Sequence, residues 1–495
     1  MRERFHLHYI DGRWTPSASG ETLPVINPAD GTTVARIPAG APEDADRAAE
    51  AAARAFPAWS ALKVEERVRF MSRLRDELTA RRELIADLEV DELGSPADYA
   101  LRKHCDYQIS RIDAYVEGAL TLARDDRNGL EGRTEGAYVW REPMGVVAAV
   151  TPWNYPLGQI IQKIIPALLM GNTVVLKPST LAPLTAAVLI DAAEAAGFPA
   201  GVLNLVQGRG SVLGERLTRH PLVDMVSFTG STEVGRAIAR AAAEAPKKTA
   251  LELGGKSPAI WLPSAPAYTG AVLKLFESIF LNAGQTCTAL SRVLVPRSRL
   301  NEAHAAMKLG LERFPVGHPR TPGVKVGPLC GERQYEKVKA YIELGLQEGA
   351  ELLAGKVPES FDAARGCFVE PTIFTNVRPD MRIAQEEIFG PVLCVIPYDT
   401  VDEAVEIANG TPYGLSSAVF GPDEEALAVA RRIRAGNVFI NNAPRDVSAP
   451  FGGYKQSGIG RESGVEGLLE FTQTKSVFHR WWTSAPSGNP EGAPL

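Results

Sequence analysis

The spacing of apolar residues along this chain changes period several times. Up to about Pro38, short apolar runs broken by Gly, Pro and Asn predict short strands and turns. From Ala41 the pattern becomes helical: Pro42-Glu-Asp-Ala-Asp-Arg places proline and acidic residues in a first turn, ahead of an alanine-rich run. Helical spacing continues through residues 65–78, 81–93 and about 98–123. A polar interval then leads to Ala137-Tyr-Val-Trp-Arg-Glu-Pro143, an exposed strand whose free edge would invite aggregation, so pairing with another subunit is expected. After Gly145, strands at 146–150, 173–176, 202–206 and 225–228 alternate with helices at 157–169, 183–196, 211–219 and 233–244. This rhythm predicts an α/β fold with a mainly parallel, helix-covered sheet. A second such rhythm runs from near Ala259 to about Phe439, and the tail 486–495 is predicted to be disordered.

Composition narrows the function classes. A length of 495 residues is too great for one hydrophobic core, so two or three domains are expected. Net charge is -6 and no basic block occurs, which argues against a nucleic-acid partner. The charged N-terminus lacks an apolar signal core, and the apolar stretch 164–176 is too short to span a bilayer and is broken by Gly171-Asn172. No membrane role is expected, and cytoplasm is the default compartment. The five cysteines (105, 287, 330, 367 and 394) show neither CxxC pairing nor His companions at metal spacing, so free thiols and no metal are expected.

Four of these cysteines read as small buried hydrophobes, but Cys287 has a different context. In Asn282-Ala-Gly-Gln-Thr-Cys287-Thr it follows a glycine and small polar residues beyond an apolar helix. An accessible loop thiol near backbone N–H groups can have a lowered pKa; the plain alternative is a packing cysteine. Glu252, in Leu251-Glu-Leu-Gly-Gly-Lys256, sits at an apolar strand end beside two glycines. Burial would raise its pKa toward a general-base role, and glycines permit close backbone approach; a strand glutamate facing water is the competitor. Asn154, after the strand at 146–150, can supply an oxyanion donor or cap the following helix. Lys177 at the end of the next strand suits ribose hydroxyls or phosphate, unless it is simply solvated. Phe228-Thr-Gly230-Ser231 followed by a helix offers N–H groups to a pyrophosphate, although it is not GxGxxG.

Pro152-Trp-Asn-Tyr-Pro, Lys177-Pro-Ser, Phe228-Thr-Gly-Ser-Thr, Leu251-Glu-Leu-Gly-Gly-Lys, Gly284-Gln-Thr-Cys, Glu387-Ile-Phe-Gly-Pro and Pro450-Phe-Gly-Gly-Tyr-Lys-Gln-Ser-Gly occur in this order. Together they resemble the aldehyde dehydrogenase superfamily from about Tyr9 to Val477. The resemblance implies two doubly wound, Rossmann-like domains and a small β oligomerisation element. The cofactor-binding domain would comprise 1–123 and 145–255, and the catalytic domain 256–455. Strands within 124–144 and 470–482 would form a homodimer or homotetramer, and 483–495 would be a flexible tail. It further implies that Cys287 attacks an aldehyde, that Asn154 and the Cys287 N–H hold the oxyanion, and that Glu252 activates water to hydrolyse a thioester. Lys163 and Glu462 match proton-relay positions. NAD+ or NADP+ would lie along Thr151, Trp153, Lys177, Thr180, Gly210, Phe228, Gly230, Ser231, Leu253, Glu387 and Phe389. Tyr155, Gln159, Gln162, Arg445 and Phe451 would face the substrate.

Two departures from the pattern carry information. Many NAD+-preferring relatives have glutamate where this chain has Thr180, so NADP+ is expected to be tolerated. Arg445, Gln159 and Gln162 replace apolar or aromatic tunnel residues, which points to a polar, carboxylate-bearing aldehyde unless Arg445 faces solvent. CoA-acylating or reductive relatives are the nearest competing enzymes, and Glu252 argues against both. A non-catalytic scaffold would not need Asn154, Glu252 and Cys287 together.

Overall fold

Strand Val146–Val150 is built only of Val and Ala and is buried throughout, as suits the centre of a sheet covered on both faces. In the computed structural model, which describes residues 2–478 apart from 126, 135, 268 and 442, it pairs in parallel with Thr173–Lys177 on one side and Met225–Thr229 on the other. Leu203–Leu205 extends the first side and Lys248–Glu252 the second, both in parallel. Chain order therefore reverses between Val146–Val150 and Met225–Thr229, leaving a crevice at their carboxyl ends, beside Thr151 and Gly230. Antiparallel additions complete eight strands: Gly458–Ile459 at one edge, His8–Ile10 and Arg13–Thr15 at the other.

Helix Pro42–Ser60 explains its own alanine content. Ala45, Ala48, Ala49 and Ala52 are completely buried against Val146, Ala148 and Val175, and only small side chains let the helix lie this close to the sheet. The helical stretch expected over 98–123 is not continuous. Ala97–Tyr99 leads into a wide, π-type turn at Ala100–Asp106 before helix Tyr107–Arg124. The extra residue per turn rotates Tyr107, Gln108 and Arg111 toward the cleft described below.

A second, seven-stranded sheet runs in the order Glu351–Ala354, Thr372–Thr375, Val392–Tyr398, Arg292–Pro296, Pro258–Trp261, Ser416–Phe420, Asn437–Ile440, parallel except for the first pair. Trp261, Phe276, Phe280 and Phe374 are fully buried in its core. Segment 451–462 joins the two sheets: Gly458–Ile459 pairs with Lys248–Glu252, while Ser457 accepts from the Leu253 N–H at 2.8 Å and from the Gly414 N–H at 2.9 Å.

Ala137–Pro143 is not a free edge. It is the middle strand of a three-stranded sheet, held by Glu131–Arg133 and Thr472–Phe478 of the same chain. The exposed edges belong to those outer strands, and Phe478 at the end is 83% exposed. The tail expected at 483–495 and the end of the 470–482 segment lie outside the described residues. Among the described residues, no helix is long and apolar enough to cross a membrane.

Candidate active site

Helix Thr269–Phe280 ends in a turn of unusual handedness: Asn282, Ala283 and Gly284 all have positive φ, at 55°, 51° and 72°. Gly284 is required for space as well as dihedral, since a Cβ there would lie 2.2 Å from the Gly390 carbonyl oxygen. The turn delivers Gln285-Thr286-Cys287 to the amino end of strand Arg292–Pro296. The thiol is therefore opposite the carboxyl ends of the first sheet and the amino ends of the second.

Asn154 reaches this turn from the first sheet. Its Nδ2 donates to the Gln285 carbonyl at 2.9 Å, and its own carbonyl accepts from Asn282 Nδ2 at 2.8 Å. Helix Pro156–Leu169 begins without a side-chain cap, so the capping role that sequence left open for Asn154 is not the one it fills. Gln285 continues the network, accepting the Cys330 N–H at 2.8 Å through Oε1. Cys105, Cys330, Cys367 and Cys394 are buried, whereas Cys287 is half-buried in the wall of a cleft of about 470 Å³. The thiol is not acidified as its loop context suggested. Burial, followed by the Glu387 and Glu252 carboxylates, pushes it up to about 12, with Arg445 opposing.

Glu252 ends strand Lys248–Glu252 and is only 4% exposed, which excludes the water-facing alternative. Neither carboxylate oxygen has a hydrogen-bond partner. Burial, then repulsion from Glu462, raises its pKa well above the ordinary carboxylate range against the pull of Lys163. Glu462 accepts from Lys163 Nζ at 2.7 Å. The Gly254-Gly255 pair that follows Glu252 admits two neighbours. A Cβ on Gly254 would lie 2.5 Å from Glu387 Oε2, and one on Gly255 would lie 2.5 Å from the Cys287 carbonyl oxygen. The Gly255 N–H donates to Glu387 Oε1 at 2.9 Å.

The remaining cofactor candidates follow the crevice of the first sheet. Thr151 Oγ1 is buried without a partner, and Trp153 meets Phe389 edge to face at 5.5 Å. Lys177 is buried rather than solvated, donates to the Pro178 carbonyl at 2.8 Å, and is lowered to about 8 by burial. Its ammonium lies 4.0 Å from where a Cβ on Gly210 would sit, and Thr180 is half-exposed just beyond. Phe228 packs beneath Gly230, and Leu253 against Gly235. Ser231 caps helix Thr232–Ala243 by accepting the Val234 N–H, so the first-turn N–H groups of Thr232 and Glu233 are the donors left over. An orphaned hydroxyl, a buried cation and open helix N–H groups fit the ribose and phosphates of a dinucleotide.

Tyr155, Gln159, Gln162, Arg445 and Phe451 line the Cys287 cleft together. Tyr155 OH bonds to Thr286 Oγ1 at 2.9 Å and Tyr99 OH at 3.2 Å, and Arg445 lies 4.2 Å over the Phe451 ring. Sequence reading missed Tyr99, Tyr107, Gln108 and Arg111 in the same wall, and Gln285, Asn282 and Ser463 behind it. The available signal was polar residues at i, i+1 and i+4 on an otherwise apolar helix face. No cluster of His, Cys, Asp and Glu able to hold a metal occurs among the described residues.

A model of the aldehyde dehydrogenase family matches residues 14–477. A putative aldehyde dehydrogenase of Staphylococcus saprophyticus is 43% identical over 476 residues, covering 96% of this chain and 98% of that protein. Among solved structures, aldehyde dehydrogenase C of Pseudomonas syringae, a cysteine-to-alanine mutant in complex with NAD+ and octanal, is similar at TM-score 0.92 and 42% identity, with 97% of each chain covered. Betaine aldehyde dehydrogenase of Staphylococcus aureus, a point mutant with NAD+, is similar at TM-score 0.90 and 36% identity, covering 98% of this chain and 99% of that one.

Proposed function

The chain belongs to the aldehyde dehydrogenase family, and from that premise we propose that Cys287, Asn154 and Glu252 oxidise an aldehyde to a carboxylic acid by covalent catalysis. The observation that carries this reading is the meeting of three parts in one place. The Asn154 amide is bonded to the loop of the thiol, while the chain that leaves Glu252 packs on Cys287, a Cβ on Gly255 lying only 2.5 Å from the Cys287 carbonyl oxygen.

The Cys287 sulfur adds to the aldehyde carbon as its proton passes to Glu252 and on toward the Glu462–Lys163 pair, and the oxygen develops negative charge. The Asn154 amide and the Cys287 N–H donate to it. A nicotinamide would supply the hydride acceptor when bound, and Glu387, Phe389 and Trp153 would bind and orient that end of it. When the oxyanion collapses with loss of hydride from carbon, a thioester remains on Cys287. Glu252, whose pKa burial raises well above the ordinary carboxylate range, takes a proton from water as the water attacks the thioester. The acid leaves and the Cys287 sulfur is freed. Lys163 and Glu462 give that proton an onward, buried route through their 2.7 Å contact. Water as the final acceptor separates this reading from a CoA-acylating one, because Glu252 stands unpartnered beside the thioester position.

For the cofactor, the absence of a carboxylate at Thr180 and the ammonium of Lys177 beside Gly210 support acceptance of NADP+ as well as NAD+. For assembly, the open edges of the Glu131–Arg133, Ala137–Pro143, Thr472–Phe478 sheet support a homo-oligomer. An aldehyde panel with each cofactor tests the activity. Reduced nicotinamide should form with the wild type and be lost in Cys287→Ala; undiminished turnover in that variant would remove Cys287 from the chemistry.

A further inference from the structure

Building on the aldehyde-oxidising reading above, we propose that the preferred aldehyde carries a carboxylate at its far end, bound between Arg111 and Arg445. Arg111, on helix Tyr107–Arg124, is 3% exposed, and Arg445 is half-buried over Phe451; both line the cleft of Cys287. Arg111 Nη2 donates to Ser463 Oγ at 2.8 Å and Arg445 Nη2 to the same oxygen at 3.1 Å. Two guanidinium groups thus share one neutral hydroxyl. Arg111 spends a further donor on Gln108 Oε1 at 3.1 Å, and its buried Nε has no partner. Among the described residues, neither arginine has a carboxylate within ion-pair distance.

The acids around the cleft are otherwise engaged. Glu462 holds Lys163, Glu277 holds Lys274 at 3.1 Å, and among the described residues neither carboxylate oxygen of Glu252 has a hydrogen-bond partner, so Glu252 pairs with neither arginine. Lys103, over the Tyr107 ring at 5.4 Å, adds another positive charge to the wall. Arg445 is lowered by burial and then by Arg111, as expected for cations facing one another. Buried charge without a counter-charge is unfavourable, and a carboxylate matches paired guanidinium groups in shape and sign. Ser463 itself is held at φ 63°, ψ 164°, a conformation that non-glycine residues avoid, and this places its hydroxyl between the two arginines. An alkyl tail, such as that of the octanal bound by the Pseudomonas syringae relative, would leave both cations unpaired.

The test compares 4-oxobutanoate and 5-oxopentanoate with butanal and pentanal, in wild type and Arg445→Gln. The oxo acids should be favoured in kcat/KM by about a hundredfold through KM, and Arg445→Gln should reduce that ratio by at least about tenfold. Parity between the two classes in the wild type, or a ratio unchanged by the substitution, overturns the proposal. Calorimetric titration with glutarate and pentanoate provides a readout that needs no turnover. Glutarate should bind at least about tenfold more tightly, an advantage that Arg111→Met should remove; equal affinity again overturns it. The two readings fail separately: turnover of butanal without preference for oxo acids leaves aldehyde oxidation standing, whereas glutarate binding without turnover of any aldehyde leaves only the anion site.

Discussion

At the scale of single residues, the site depends on polar groups that the fold leaves unpaired or half-paired. Asn154 commits one amide hydrogen to Gln285 and has a second for the oxyanion. Asn154→Ala should lower kcat by about a hundred- to a thousandfold with little change in KM, measured at saturating cofactor; a change confined to KM would mean that the amide only binds ground-state substrate. Lys177 gives a pH signature. Its pKa is lowered from 10.5 to about 8 by burial, so its charge is present below that value and lost above it. The KM for NADP+ should therefore rise between about pH 7.5 and 9.5 more than that for NAD+, and the difference should vanish in Lys177→Gln. Parallel profiles for both cofactors would take Lys177 away from the 2′-phosphate. Cys287 shows where sequence misleads at this scale: small polar neighbours suggested an acidified thiol, but burial first, and then the Glu387 and Glu252 carboxylates brought near by the fold, raise it.

At the scale of elements, strands and helices were readable wherever local pattern and tertiary surroundings agree. Val146–Val150 could be recognised from composition because every one of its side chains is buried, and Glu252 because glycines follow it. The π-type turn at Ala100–Asp106 could not, since its residues are acceptable in an ordinary helix; only the packing of His104 against Tyr155 and Glu89 shows why it widens. Arg111 went unnoticed for the same reason. The N-terminal strands are fixed by Asp44, on helix Pro42–Ser60, which accepts from His8 Nε2, Ser17 Oγ, the Ala41 N–H and Arg47. His8 Nδ1 accepts the Gln207 N–H at 3.1 Å, which ties the same group to the cofactor sheet and leaves the proton on Nε2. Burial alone would raise the Asp44 pKa, but these hydrogen bonds hold it well below the usual carboxylate range. The stability it contributes is complete above the unfolded value of 3.8 and is lost as pH falls below it. Asp44→Ala should destabilise by about 3–5 kcal/mol in denaturant titrations at pH 7, with the deficit shrinking in acid; equal deficits at pH 7 and pH 3 would contradict this account.

At the scale of the molecule, two sheets meet with opposite ends facing the site. The first presents the carboxyl ends of its strands, where the dinucleotide features gather, and the second presents its amino ends, where Cys287 arrives. The alternation of strands and helices announced both sheets, but not this relative orientation, because it is set by contacts far apart in sequence such as Leu253 with Ser457 and Asn154 with Gln285. The three-stranded sheet ending at Phe478 leaves an edge suited to a second copy; Ser476→Pro, which removes an N–H facing away from Ala137–Pro143 and stiffens that edge, should shift sedimentation toward a smaller species, and an unchanged assembly would place the interface elsewhere. In the proposed reaction a thiol from one half of the molecule and a carboxylate from the other handle the same carbon in succession. Mixing Glu252→Gln with cofactor and aldehyde, then quenching rapidly for peptide mass analysis, tests it directly. One equivalent of reduced nicotinamide should form in a burst with the acyl group on Cys287, whereas undiminished steady turnover, or an acyl group on any other residue, would contradict it.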